Sequence, residues 1–174
     1  MALNYNAYAP DYASVLSALD SGEILHVLEI GILSGSGLAM WSKIFPDAAI
    51  TGIDIEVSRC EANIEEFVEL GAFKRSRPTL LELDATRPSA EVLAQSLNDL
   101  PRLSLVVDDG LHTIEAISTM IEFLQPYLDQ TFTYIVEDNP GSFRRVRNLF
   151  ADIALTQRFG GLVVASNHHG VNSC

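Results

Sequence analysis

Residues 24–38 read ILHVLEIGILSGSGL, an apolar run that breaks into a glycine-rich turn before a helical pattern begins. Residues 24–30 have the length and composition of a short, mostly buried strand. Gly31, Gly35 and Gly37 allow a tight turn and a close approach of backbone to a ligand. A strand, a glycine turn and a helix in that order is how a doubly wound α/β sheet starts. The remainder of the chain should then alternate strands with helices, and it does. Residues 49–55, 79–83, 103–107 and 132–136 read as further buried strands. Amphipathic helices are expected over 38–45, 59–70, 90–100 and 113–128, with another over 143–157. The expected fold is α/β: a doubly wound, Rossmann-like, mainly parallel sheet. GLVVAS (161–166) reads as a sixth strand and NHHGVNSC (167–174) as a polar end. Pro126 lies inside the fourth helical pattern and should kink it or end it early.

The 174 residues are expected to form one domain over 1–174, with 48% hydrophobic and 20% charged residues, ordinary for a globular chain. No apolar run approaches membrane-spanning length, and the opening MALNYNAYAPDYAS has no basic segment followed by an apolar one. A cytoplasmic location is expected. Formal net charge is −12, which disfavours nucleic acid and anionic membrane as partners. The basic cluster Arg144, Arg145 and Arg147 is the local exception, and it reads as a solvated helix face. Cys60 and Cys174 make neither a CxxC pair nor a disulfide framework. His26 lies on an apolar strand and reads as structural. His168 and His169 sit in a near-terminal, glycine-flanked position that argues against a metal pair.

Sheets of this kind bind ligands beyond the carboxyl ends of their strands. After the first strand come Glu29 and the glycine turn; the second ends in Asp54 and Glu56, the third in Asp84. The fourth delivers Asp108, Asp109 and His112, and the fifth Glu137 and Asp138. Polar groups thus gather on one edge. The dinucleotide fingerprint G-x-G-x-x-G is broken by Leu33. Glu29 beside the turn suits a cationic ligand with an amino group better than a diphosphate. S-adenosylmethionine, with its ammonium and sulfonium, fits that description. Asp54 is placed to accept from ribose hydroxyls and Asp84 from an adenine amino group.

At the other end, several carboxylates converge, and neighbouring like charges need a counter-ion. An all-oxygen set favours Mg²⁺, Mn²⁺ or Ca²⁺ over Zn²⁺. His112 could then remove the proton of a metal-bound hydroxyl. Read singly, these acids also serve as caps for the helices that follow them.

With EIGILSGSGLAMW, FPDAAITGIDI, LVVDDGLH and YIVEDN in place, the chain resembles the class I S-adenosylmethionine-dependent methyltransferases. More narrowly it is similar to the metal-dependent sugar O-methyltransferases of the macrocin and mycinamicin type and to cephalosporin-hydroxylase-like proteins. The resemblance implies that Glu29, Gly31, Gly35, Gly37, Asp54 and Asp84 hold the cofactor, with Asp108 a neighbour facing it. It implies that Asp109, Glu137 and Asp138 hold Mg²⁺ and that His112 is the general base. The chain departs from that pattern in having no evident lid and a C-terminal hairpin that reads as truncated. The expected partner is a small hydroxyl acceptor, sugar, polyol or natural product. A homodimer would cover exposed apolar edges, though no sequence signature specifies one. Two alternatives stand beside this reading: a non-catalytic module that binds S-adenosylmethionine, and a nicotinamide-dependent oxidoreductase.

Overall fold

The computed structural model describes residues 8–19 and 22–168; residues 169–174 of the polar tail, His169 and Cys174 among them, lie outside the described residues. Five parallel strands run in the order that the apolar segments foretell: β1 His26–Ile30, β2 Ala49–Asp54, β3 Thr79–Glu82, β4 Leu103–Asp108 and β5 Leu128–Val136. Between them lie α2 Ser36–Ile44, α3 Ser58–Glu69, α4 Ala90–Leu97 and α5 Ile114–Leu124. An additional helix, α1 Ala9–Leu16, precedes β1, and α6 Phe143–Leu149 follows β5. The sheet is completed by β6 Leu155–Phe159 and β7 Leu162–Ser166, giving the order β3-β2-β1-β4-β5-β7-β6. The strand order reverses between β1 and β4, which opens a crevice at their carboxyl ends.

The period of two along each strand divides the apolar residues between two cores. Val27, Leu105, Val107 and Ile135 pack with Val15 of α1, Trp41 of α2 and Ile64 of α3. Leu28, Val106, Tyr134 and Val136 face Leu93 of α4, Ile117 and Ile121 of α5 and Val146 of α6. His26 is buried between Pro101 O and Thr51 Oγ1, each 2.8 Å from a ring nitrogen, as a structural histidine would be.

Three sequence expectations need correction. The helix expected over 143–157 stops at Leu149, because residues 155–159 pair with β7 as an outer antiparallel strand. The hairpin that read as truncated is therefore present, turning at Gly160 and Gly161 and covering the free edge of β5. Helix α1 was not foreseen, being short and preceding the first apolar run. Pro126 does end the fourth helical pattern early: α5 gives way to a 3-10 turn over Gln125–Tyr127. No helix among the described residues is long and apolar enough to cross a membrane.

Candidate functional site

A cavity of about 540 Å³ lies along the carboxyl ends of the parallel strands. Gly31 and Leu33 after β1, Asp54 at the end of β2 and Asp84 after β3 line one part of it. Asp109, Gly110, Leu111 and His112 after β4, with Asp138 after β5, line the other. Two ends of different chemistry thus share one trough.

The turn after β1 is shaped by what presses on it. A Cβ at Gly31, where φ is +84°, would collide with the carbonyl oxygen of Asp109, so the β1 and β4 loops touch here. A Cβ at Gly37 would strike the carboxylate of Glu29, which therefore lies directly against the first turn of α2. Gly35 caps that helix against Cys60. Glu29 is only 7% exposed, and its Oε2 has no hydrogen-bond partner. Burial first, then the charges of Asp109 and Glu137, push its carboxyl up to about 8. The Trp41 indole N–H, which does not reach hydrogen-bonding geometry, opposes this least effectively. A buried, unsatisfied carboxyl is costly unless a donor meets it.

Asp54 Oδ2 accepts from Leu33 N at 2.9 Å, so the end of β2 holds the β1 turn in shape. Asp84 Oδ1 accepts from the backbone and hydroxyl of Thr86 at 2.8 and 2.7 Å. Both carboxylates serve local turns and also line the cavity.

At the second end, one ligand atom each from Asp109, His112 and Asp138 lies within 4.8 Å of the others. His112 Nε2 is 3.9 Å from Asp109 Oδ1, while its Nδ1 is buried without a partner. Burial, then Asp138 and Asp108, raises the Asp109 carboxyl to about 6. The backbone is strained at this point. His112 and Asp138 have φ of +55° and +52°, and Leu33 +46°, so among the described residues three of the four non-glycine residues with left-handed φ line the cavity. Such strain survives only where the surroundings enforce it, and functional loops are where it collects. Asn139 Nδ2 donates to His112 O at 2.8 Å, tying the β5 loop to the β4 loop.

Two predicted site residues stand outside the three-residue cluster. Glu137 does not join the three-residue cluster; its Oε1 accepts from the Tyr12 hydroxyl at 2.5 Å. Burial raises its carboxyl to about 7, the Tyr12 bond opposes that rise, and Asp109 and Asp138 add to it. Asp108, expected to face the cofactor, turns the other way. As the last residue of β4 it follows Val106 onto the α4–α6 face, where Tyr134 donates to Oδ2 at 3.1 Å. It is 4% exposed and its carboxyl is raised to about 6 by burial. The pleat decided between the two members of the acid doublet.

Tyr8 and Tyr12 were not foreseen. The Tyr8 hydroxyl donates to Asp138 and that of Tyr12 to Glu137, so α1 lies over the acidic end. Asp11 anchors the helix by accepting from Gly161 N at 3.2 Å in the hairpin turn. The available signal was the Y-x-x-x-Y spacing, which puts both rings on one side of a helix.

No protein-family model matches the chain, and no curated protein matches it. Solved structures do. The methyltransferase MycE of mycinamycin biosynthesis, solved with Mg and SAH, is similar over 95% of this chain at 19% identity and a TM-score of 0.67. This chain spans half the length of that protein, 50%. The O-methyltransferase TomG from Streptomyces achromogenes, solved with SAM, is 16% identical over 94% of this chain and 81% of its own, TM-score 0.63. A precorrin-6y C5,15-methyltransferase from Geobacter metallireducens is 15% identical over 95% of this chain and 90% of its own, TM-score 0.60. At these identities the likeness establishes the fold, that of the Rossmann-like methyltransferases.

Proposed function

We propose that this chain binds S-adenosylmethionine and transfers its methyl group, with the help of a divalent cation, to a hydroxyl of a small polar acceptor. The observation that carries the proposal is a cavity that joins the β1 turn, Asp54 and Asp84 to the acid–imidazole cluster, with the unpartnered carboxyl of Glu29 buried against Gly37 of the same turn. The methyltransferase fold of the similar structures, with MycE solved with SAH and TomG with SAM, supports it.

The residues present fit the cofactor. Glu29 Oε2, buried and unpaired, would accept from an ammonium group, the kind of donor its position lacks. Gly31 and Gly37 keep side chains out of the turn beside it. Asp54 would accept from ribose hydroxyls and Asp84 from an adenine amino group. When bound, S-adenosylmethionine supplies an electrophilic methyl group.

The acidic end fits a hard cation. Asp109 and Asp138 would hold it, with Glu137 joining from beneath Tyr12, since oxygen donors suit Mg²⁺ or Mn²⁺. Burial first, and then neighbouring carboxylates, raise the carboxyls of Asp109 and Glu137, and a cation would relieve both costs. A bound divalent ion supplies positive charge there and acidifies a hydroxyl beside it. His112, which lines the cavity and whose Nδ1 is unpartnered, takes the hydroxyl proton. The shared cavity would hold donor and acceptor in line, and proximity carries much of the acceleration. An acceptor with two adjacent oxygens, a sugar or polyol, matches an ion flanked by a base.

Calorimetric titration with S-adenosylhomocysteine and, separately, NADH tests the reading. Binding of the first alone is expected, and, in a separate assay, methyl transfer from S-adenosylmethionine to a vicinal diol in the presence of Mg²⁺. Binding of NADH alone would replace the proposal with an oxidoreductase.

A further inference from the structure

A second cavity, of about 630 Å³, is lined by Arg144, Arg145, Arg147 and Arg158, with Phe143 and Ile114. Four of the chain's eleven basic side chains meet here, on a molecule of net charge −12. No carboxylate lines it. Arg145 has a counter-ion in Glu122, at 3.1 Å, and also donates through Nε to Ser118 Oγ at 2.9 Å. Among the described residues Arg144, Arg147 and Arg158 have no ion pair. Arg158 is nevertheless held: its guanidinium stacks on the Phe143 ring at 4.8 Å and donates to Pro140 O at 2.9 Å. Two arginines are thus fixed in place and two stand exposed beside them. Like charges gathered this way repel one another unless an anion joins them.

The cleft is also close in sequence to the site already described. Ile114 follows His112 by two residues, and Pro140, which holds Arg158, follows Asp138 by two. The loops that carry the acid–imidazole cluster therefore lead along the chain to Ile114, which lines this cleft, and to Pro140, which holds its Arg158. Leu111, which lines the first cavity, and Ile114, which lines this one, are 59% and 49% exposed.

We propose that this cleft binds an anionic group, a phosphate or a carboxylate, carried by the same acceptor whose hydroxyl is presented to His112. The anion site stands on the arginines; its assignment to an acceptor rests on the methyl-transfer reading. The acceptor class is then an acidic polyol or sugar: adjacent hydroxyls at one end, an anion at the other. Guanidinium forks bind such oxygens in pairs.

Inorganic phosphate and acetate are titrated separately into the full chain and into R144E/R147E, whose folding is checked by circular dichroism. S-adenosylhomocysteine is titrated into both as a control. The wild type is expected to bind at least one of the two anions, less tightly at high salt, and the variant to lose about tenfold or more in affinity. S-adenosylhomocysteine affinity is expected to be equal in the two. Which anion binds more tightly separates a phosphate from a carboxylate site. Glucose 6-phosphate and glucose, or glucuronate and glucose for a carboxylate site, then test the acceptor assignment, with a preference for the anionic sugar that the variant loses. Equal anion affinities in wild type and variant overturn the site. Loss of anion binding in the variant with no preference between the sugars overturns the assignment to an acceptor. Failure of wild type to bind S-adenosylhomocysteine overturns the methyl-transfer reading and that assignment together, while the anion titrations still decide the cleft.

Discussion

The hydroxyl of Tyr12 donates to Oε1 of Glu137 at 2.5 Å, joining the first helix to the end of β5 across 125 residues of chain. Burial and the Glu137 charge push the tyrosine hydroxyl far above its ordinary range, so it stays a donor. Carboxylates that bind metal are commonly oriented by such outer partners, whose loss costs about 10- to 100-fold in metal affinity. Tyr12→Phe should therefore weaken Mn²⁺ binding by about tenfold, read by calorimetry. Tighter Mn²⁺ binding in the variant would instead make Tyr12 a competitor for Glu137.

His112 should separate turnover from cofactor binding. His112→Ala is expected to abolish methyl transfer while S-adenosylhomocysteine affinity stays nearly unchanged. Wild-type turnover in that variant would remove His112 as the base.

The acid doublet at the end of β4 should behave asymmetrically. Asp108 is bonded to Tyr134 inside the α4–α6 core, whereas Asp109 lines the cavity. Asp108→Asn should cost stability, about 1–3 kcal/mol for a disturbed buried polar pair, measured by urea unfolding, and leave Mn²⁺ binding intact. Asp109→Asn should do the reverse. Equal effects of the two changes on metal binding would contradict the assignment of sides.

This doublet also shows where sequence reading stops. The strands, their parallel order and the edge that gathers the acids were legible, because buried apolar runs alternate with amphipathic ones. Which aspartate enters the cavity was not, since that depends on the residue at which the pleat ends, and a shift of one reverses the answer. Tyr8 and Tyr12 escaped for another reason: a helix of eight residues has little local signal, and its partners Asp138 and Glu137 are distant in sequence. The α6–β6 boundary was missed because an outer strand is half exposed and reads much like the end of an amphipathic helix.

Stability of the ligand-free chain should fall as pH rises from 5 to 8. Glu29 holds its proton up to about 8, Glu137 to about 7, and Asp108 and Asp109 to about 6. Their ordinary values are 4.5 for glutamate and 3.8 for aspartate, so over this window the folded chain binds more protons than the unfolded one. The stabilisation is full below the ordinary values and is lost as pH passes the raised ones. Melting temperature measured across that range should decline, and the Glu29→Gln variant should decline less. A melting temperature that climbs steadily to pH 8 would contradict these carboxyl environments.

The most direct test is calorimetric titration of Mn²⁺ into the chain saturated with S-adenosylhomocysteine, repeated on D109N/D138N. One ion should bind to the wild type and none to the variant, with S-adenosylhomocysteine held equally by both. A wild type that takes up no ion, or a variant that binds it as tightly, would contradict the pairing of a cofactor end with a metal end in one cavity.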